Sequence, residues 1–178
     1  MDTYELETLI KKINFDDYYI EATFQFNLLM ELAFIYNKTN IFPERSIKYY
    51  KLSQMTKKRI DIVLELDNNI AIELKMPMNG QVPEQMFKFV EDIKFLEELK
   101  SSGKFKFCYL ITVTNDRSFW DGKDNGIYSY FRENNEISGK IYKPTGENKG
   151  KKYYEINGKY MINWKSLNSD FRYFIINI

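Results

Sequence analysis

Residues 59–76 read RIDIVLELDNNIAIELKM, and this stretch decides the fold class. Its two halves, 59–66 and 70–76, are rich in isoleucine, valine and leucine, as is typical of β-strands in a protein interior. Residues 67–69 are Asp-Asn-Asn, and these residue types tolerate the left-handed backbone that a tight turn requires. The stretch therefore predicts a β-hairpin with a three-residue turn.

The register of this hairpin predicts which charged side chains lie together. A three-residue turn pairs Leu66 with Ile70, which places Asp61 opposite Lys75. Because side chains alternate between the two faces of a strand, Asp61, Glu73 and Lys75 are expected on one face, with opposed residues ~5 Å apart. The other face is expected to be apolar and to consist of Ile60, Ile62, Leu64, Leu66, Ile70, Ile72 and Leu74.

Three charged groups on otherwise apolar strands need a physical reason. Partial desolvation of each group costs several kcal/mol unless the group is paired or binds a cation. Phosphodiester hydrolysis supplies a reason, because Asp61 and Glu73 can hold a hard divalent cation that polarises a phosphoryl oxygen and lowers the pKa of bound water. Lys75 faces the same way, where it can orient the attacking water or stabilise charge on the phosphate. A second interpretation is an ordinary exposed ion pair between Asp61 and Lys75, with Glu73 merely solvated.

The segments around the hairpin extend this prediction to a whole domain. Apolar residues at helical spacing predict helices, and short apolar runs predict strands. The order helix, three strands, helix, strand predicts an α/β layered core in which a helical crossover joins the hairpin to the next strand. The predicted helices cover 3–14, 20–37 and 83–101, and the predicted strands cover 46–52, 59–66, 70–76, 105–114 and 171–178.

Composition is typical of one folded domain with a nearly neutral charge. The chain has 178 residues, of which 44% are hydrophobic and 29% charged, so we expect a single domain over residues 1–178. The 26 basic and 25 acidic residues nearly cancel, so bulk charge does not indicate a nucleic-acid partner. A basic surface would require uneven distribution. Lys57 and Lys58, in a basic cluster before the hairpin, are candidate DNA phosphate contacts, although such clusters are also common on solvated faces.

The chain contains no histidine, and this absence excludes several classes of site. Ser-His-Asp and Cys-His hydrolases, histidine-dependent nucleases and His-rich zinc sites all lose an essential group. With the single cysteine Cys108 in an apolar run, any metal must be bound by oxygen ligands, which favours Mg²⁺, Mn²⁺ or Ca²⁺. We predict no membrane-spanning segment and no leader, and hence a protein of the cytoplasm.

Asp61, followed after eleven residues by Glu73-Leu74-Lys75, resembles the signature of the PD-(D/E)XK nuclease superfamily. The predicted order of elements is similar to the restriction-endonuclease-like core of that superfamily: a mixed central sheet flanked by helices. The resemblance covers about residues 18–114 and leaves about 115–178 as a β-rich C-terminal extension. Ile60 stands where many members have a proline.

The resemblance implies an activity, a cofactor and partners. It implies a Mg²⁺-dependent DNA endonuclease, with Mn²⁺ as a substitute, of the restriction, defence or repair type, and a homodimer. It also implies a supporting glutamate on the first core helix or strand, for which Glu21 and Glu44 are favoured over Glu31. On the helix after the motif, Gln81 and Gln85 are expected near the DNA, with Lys88 as a further supporting position.

Two other functions fit the same residues. A binding subunit could keep the nuclease fold and contact DNA or protein without turnover. An unrelated α+β interaction protein could carry the three charges as a surface ion pair. Loss of activity on substitution of Asp61 in a folded protein distinguishes an enzyme from both.

Overall fold

The computed structural model describes residues 1–16, 20–77, 80–132 and 136–178. The predicted start of the core, residue 18, lies outside the described residues. The described helices are α1 (Thr3–Lys12), α2 (Glu21–Ile35), α3 (Val82–Ser101) and the short α4 (Ser129–Arg132). The described strands are β1 (Ile41–Ser46), β2 (Arg59–Leu64), β3 (Ile70–Lys75), β4 (Phe107–Thr114), β5 (Glu136–Tyr142), β6 (Tyr153–Met161), β7 (Lys165–Ser166) and β8 (Arg172–Asn177).

A six-stranded mixed sheet forms the centre of the protein, in the order β1-β2-β3-β4-β8-β7. The strands β3 and β4 are parallel and are joined by α3, whereas the other neighbours are antiparallel. The predicted mixed α/β class, with a central sheet flanked by helices, is confirmed. The C-terminal region is rich in strands as predicted, but β8 is part of the central sheet and only β5 and β6 form a separate hairpin.

Helices cover both faces of the sheet. On one face α1 and α2 pack against an apolar cluster, and on the other face α3 packs against a second cluster. Side chains of β4 alternate between the two clusters, with Cys108 and Leu110 towards α3 and Tyr109 and Ile111 towards α1 and α2. Among the described helices, none is both long enough and apolar enough to cross a bilayer.

Local sequence explains where the helices begin and end. Asp2 caps α1 by accepting a hydrogen bond from the backbone N–H of Glu5, while the Glu5 carboxylate accepts from the Asp2 N–H. Pro83 lies in the first turn of α3, where its missing N–H costs nothing. Gly103 follows α3 with a φ of +70°, a left-handed conformation that glycine adopts without strain.

The β5–β6 hairpin packs on the outer side of α3, so this helix is covered on two sides. Glu97 of α3 is buried and accepts hydrogen bonds from the backbone of the hairpin. Tyr154 donates its hydroxyl hydrogen to Glu91, and Thr145 donates to Glu84 at 2.5 Å. A row of carboxylates on α3 therefore holds the hairpin in place.

The first strand of the sheet lies earlier than the sequence predicted. A strand was expected over 46–52, but β1 covers Ile41–Ser46 and the next four residues form a 3-10 helix capped by Ser46. Pro43 was expected in the connection between the predicted helix over 20–37 and the predicted strand over 46–52. It lies inside β1 opposite Ile62. It is tolerated because β1 is the edge of the sheet, where a missing N–H leaves no ladder partner unsatisfied.

The predicted hairpin is present, but its register differs by two residues. Leu64 pairs with Ile70, so five residues rather than three connect β2 and β3. Glu65 turns towards the neighbouring strand instead: its N–H donates to the carbonyl of Asn40 at 2.8 Å, and its carboxylate accepts from Tyr50 at 2.7 Å. A register shift of two residues leaves each side chain on the same face of its strand, so the predicted set of charged residues on one face does not change.

One apolar residue departs from the predicted face. Ile60 was expected beside Ile62, but Ile60 packs in the cluster on the α3 side and Ile62 in the cluster on the α1 and α2 side. The backbone ladder between β2 and β3 ends at Ile62, so the regular alternation does not extend to Ile60.

Candidate catalytic and metal-binding site

The site begins where the β2–β3 ladder ends. Ile62 and Ile72 are the last paired residues, and beyond them side chains replace the backbone contacts. The Asp61 carboxylate accepts a hydrogen bond from the N–H of Leu74 at 2.8 Å, and the Asp61 N–H donates to the Glu73 carboxylate at 3.3 Å. The two carboxylates are therefore fixed to each other's strands.

Glu73 is the most deeply buried charged residue of this site. Its side chain is 0% exposed, and its Oε2 contacts the ammonium of Lys57. Burial, reinforced by the charge of Asp61, raises the pKa of Glu73 well above its usual range. Burial also raises the pKa of Asp61, although Lys75 and Lys57 oppose this change. One buried and one partly buried carboxylate with raised pKa values favour a cation beside them.

Asp92 on α3 completes the cluster. It is 2% exposed, its Oδ1 lies 2.8 Å from Lys57 Nζ, and its Oδ2 lies 3.3 Å from Lys75 Nζ. Asp92 was not among the predicted site residues, although its spacing in the sequence could have indicated it. It lies three residues after Phe89 and three before Phe95, on a side of the helix that is buried. A carboxylate at such a position needs a partner.

Lys75 contacts Asp92 rather than Asp61. Its Nζ lies 3.8 Å from Glu21 and donates to the carbonyl of Leu74 at 2.7 Å. Burial lowers the pKa of Lys75, but the charges of Asp92 and Glu21 outweigh it and raise the pKa above its usual value. Lys75 therefore carries a proton at neutral pH, and within the described residues it forms no ion pair with Asp61.

A cleft of about 260 Å³ opens beside these residues. Glu21, at the start of α2, lies at its rim and accepts a hydrogen bond from the N–H of Met76 at 3.0 Å. The cleft is therefore framed by α2, by the end of β3 and by α3. Its lining consists of Glu21, Lys57, Lys75, Gln85, Lys88, Glu91 and Asp92.

The structure brings several predicted residues to this cleft. Glu21, Gln85 and Lys88 line it, as does Lys57, which was predicted as a DNA contact and whose ammonium lies against Glu73. Glu73 itself lies behind the cleft, in contact with the Lys57 ammonium.

Other predicted residues lie outside the cleft. Glu44 is exposed on β1 and is linked to the site through Gln25, whose amide donates to Glu44 at 3.3 Å and to the carbonyl of Asp61 at 2.8 Å. Glu31 does not line the cleft and pairs with Lys12 of α1 at 3.7 Å. Lys58 is exposed, and Gln81 is the exposed N-cap of α3 with a φ of +51°.

The donors present fit a hard divalent cation only if one contact changes. Asp61 and Glu73 offer carboxylate oxygens, which Mg²⁺ prefers. Within the described residues, no three Asp, Glu or Cys side chains converge as a ready-made metal-binding group. The Lys57 ammonium already contacts Glu73 and Asp92. A metal ion at Glu73 would take the place of this ammonium.

Comparison with protein-family models, with curated proteins and with solved structures finds no match.

Proposed function

We propose that this protein is a divalent-metal-dependent deoxyribonuclease that hydrolyses phosphodiester bonds with Asp61, Glu73 and Lys75. The observation that supports the proposal is that the buried Glu73 and the partly buried Asp61, both with raised pKa values, lie side by side at the point where the β2–β3 ladder stops. The strands around them are apolar, so the charges are not there for solubility. Their cost is offset when they bind a cation.

Asp61 and Glu73 would hold the metal ion, Mg²⁺ with Mn²⁺ as a substitute. When bound, such an ion polarises the phosphoryl oxygen and lowers the pKa of a water ligand. Lys75 acts as a protonated group because its pKa is raised, so it donates hydrogen bonds and accepts none. In this state it can stabilise charge on the phosphate or orient the attacking water by donating to its oxygen, and it cannot act as a general base.

The order of elements supports a restriction-endonuclease-like fold. In chain order α2, β1, β2, β3, α3 and β4 follow the predicted helix, three strands, helix, strand, and β3 and β4 are parallel. The motif residues lie on β2 and β3 as that fold requires. We infer an endonuclease of the restriction, defence or repair type from this order together with the motif.

The surroundings of the cleft support DNA as substrate. Lys57, Lys75 and Lys88 line it beside the carboxylates of Glu21, Glu91 and Asp92, so a phosphate entering from solvent meets three ammonium groups and needs a metal ion to offset the three carboxylates. Gln85 adds an amide that can donate to phosphate oxygens. Lys58, exposed on the approach to β2, remains a candidate for contacts further along the backbone of the DNA.

One observation favours a non-catalytic binding subunit as the second candidate. Glu73 and Asp92 already contact the ammonium groups of Lys57 and Lys75, so much of the charge in the cluster is balanced by the chain itself. A nuclease fold that only binds DNA or protein would need no more than this.

Cleavage of supercoiled plasmid with Mg²⁺ or Mn²⁺ separates the two candidates. We expect nicked or linear products from the wild type, none with EDTA, and at least a hundredfold slower cleavage by Lys75→Ala and Asp61→Asn, since each removes a group that acts on the phosphate or the metal. Lys104→Ala is the matched control, because Lys104 is exposed and remote from the cleft. Folded wild type that cleaves at no metal or salt concentration would favour the binding subunit.

A homodimer remains part of the proposal, and α2 offers a surface for it. Phe26, Met30 and Phe34 are 60%, 46% and 80% exposed and follow one another at intervals of four residues along one side of the helix. Phe26 and Phe34 lie at equal distances in sequence from Met30, so an antiparallel second copy would bring Phe26 opposite Phe34. Light scattering of the purified protein should give twice the 21.4 kDa chain mass, and a monomer would contradict the dimer.

A further inference from the structure

Lys57 occupies the place where a cation is needed. Its ammonium contacts Glu73 Oε2 and lies 2.8 Å from Asp92 Oδ1, and the charge of Asp61 is also close enough to act on it. We propose that Lys57 is a tethered cation that fills the metal position of the metal-free protein, and that a divalent ion must displace it from Glu73 to bind. This inference rests on the proposed function, because it concerns the same carboxylates.

The two partners differ in their freedom to move. Glu73 is 0% exposed and belongs to a central strand, so its carboxylate cannot leave. Lys57 precedes β2 in a segment without regular structure, and 24% of its side chain is exposed. Its flexible stem packs near the ring of Phe95, with the ammonium 5.7 Å from the ring centroid. Displacement therefore moves the lysine and leaves the carboxylate in place.

Asp92 provides the site to which the displaced ammonium can remain attached. Its Oδ1 contacts Lys57 and its Oδ2 contacts Lys75. The Oδ2 atom is buried and has no hydrogen bond of good geometry, although Lys75 lies 3.3 Å away. Asp92 can thus keep hold of Lys57 after a metal ion has taken Glu73, which makes Asp92 a positioning residue for both lysines.

The charges of the cluster show that one divalent ion is the appropriate ligand. Glu21, Asp61, Glu73 and Asp92 bring four carboxylates to the site, and Lys57 and Lys75 bring two ammonium groups. When all are ionised the cluster carries a net charge of two negative units. A monovalent cation would leave part of this charge uncompensated, whereas one Mg²⁺ or Mn²⁺ balances it.

The test is Mn²⁺ binding to the full chain without DNA, followed by electron paramagnetic resonance. Lys57→Met keeps most of the apolar stem beside Phe95 and removes the ammonium, so we expect at least tenfold tighter Mn²⁺ binding than in the wild type. Lys104→Met makes the same change at an exposed lysine and should bind Mn²⁺ as the wild type does. Lys57→Gln serves as a second variant should Lys57→Met fail to fold by circular dichroism.

Two results would overturn the inference, and they differ in what else they affect. Unchanged or weaker Mn²⁺ binding by folded Lys57→Met shows that Lys57 does not compete for the metal position, while metal-dependent cleavage by the wild type still upholds the proposed function. Absence of Mn²⁺ binding in the wild type and in both Lys57 variants, all folded, overturns the metal site itself and with it the proposed function.

Discussion

Two buried carboxylates on α3, Asp92 and Glu97, are satisfied in opposite ways. Glu97 is 6% exposed and accepts hydrogen bonds from the N–H groups of Asn157 and Gly158 at 3.0 and 2.6 Å, and from the Tyr160 hydroxyl at 3.1 Å. Asp92 is 2% exposed and contacts the ammonium groups at the ends of two long lysine stems. One helix therefore carries a carboxylate on each of two sides, with different kinds of partner.

The difference in partners indicates a structural role for Glu97 and a role in activity for Asp92. Backbone N–H groups cannot leave, so Glu97 holds the β5–β6 hairpin against α3 in one arrangement. Lysine stems rotate more readily than a backbone, so the ammonium groups beside Asp92 can turn towards a bound phosphate. Substitution of Glu97 should act on stability, and substitution of Asp92 should act on activity.

The largest expected effect is on catalysis by Asp92→Asn. This change keeps the size of the side chain but removes the charge that holds Lys57 and Lys75, so we expect cleavage to slow about a hundredfold, as on loss of one electrostatic contact to a transition state. Single-turnover cleavage rates together with thermal melting measure it. Glu97→Gln, with a rate per folded molecule near that of the wild type, is the matched control. Equal loss of rate in both variants would refute the distinction.

The next effect is on stability and belongs to Glu97→Ala. Removal of this carboxylate breaks two hydrogen bonds from backbone N–H groups to a charged acceptor, which costs about 3 kcal/mol at about 1.5 kcal/mol for each bond. For a chain of this length we expect a Tm lower by roughly 10 °C. Glu155→Ala, an exposed carboxylate on the same hairpin, should leave the Tm unchanged. A Tm of Glu97→Ala within a degree of the wild type would show that the hairpin does not depend on this contact.

The smallest effect is on the reactivity of Cys108, which lies under α3 on β4. Burial raises the pKa of the Cys108 thiol to about 12, so almost no thiolate exists at pH 8 and labelling by a disulfide reagent requires opening of the fold. Glu97→Gln weakens the contact between α3 and the β5–β6 hairpin, above Cys108. It should speed labelling about tenfold, equivalent to a decrease of about 1.4 kcal/mol in the free energy of opening. Asp92→Asn should label at nearly the wild-type rate. Faster labelling of Asp92→Asn than of Glu97→Gln would show that the contacts of Asp92 with the two lysines contribute more to stability.

The parts of the fold that were predicted correctly are encoded locally. Strands β2, β3 and β4 and helix α3 are apolar runs with a clear period, and the structure confirms them with changes of a few residues at their ends. The parts that were wrong depend on distant partners. The register of the β2–β3 hairpin is set by Glu65, whose partners Asn40 and Tyr50 lie in short 3-10 helices on either side of β1.

The same distinction applies to the site. One face could be predicted for Asp61, Glu73 and Lys75 because these residues belong to one hairpin. Side chains alternate with a period of two residues, so a register shift of two residues leaves them on the same face. Lys57 could be found but not placed, since only the folded chain brings it to Glu73. Asp92 was not predicted, because the resemblance implied only Gln81, Gln85 and Lys88 on α3. A carboxylate on a buried side of this helix was nevertheless visible in the sequence.

Cleavage of a labelled DNA duplex by the wild type and by Glu73→Gln, each with Mg²⁺ and with EDTA, tests whether hydrolysis depends on a metal ion at the buried carboxylate. Glu73→Gln keeps the shape of a fully buried side chain and removes only the charge that would bind the metal. The account predicts Mg²⁺-dependent cleavage by the wild type and at least a hundredfold less by the folded variant. Cleavage at equal rates, or cleavage that persists in EDTA, would contradict it.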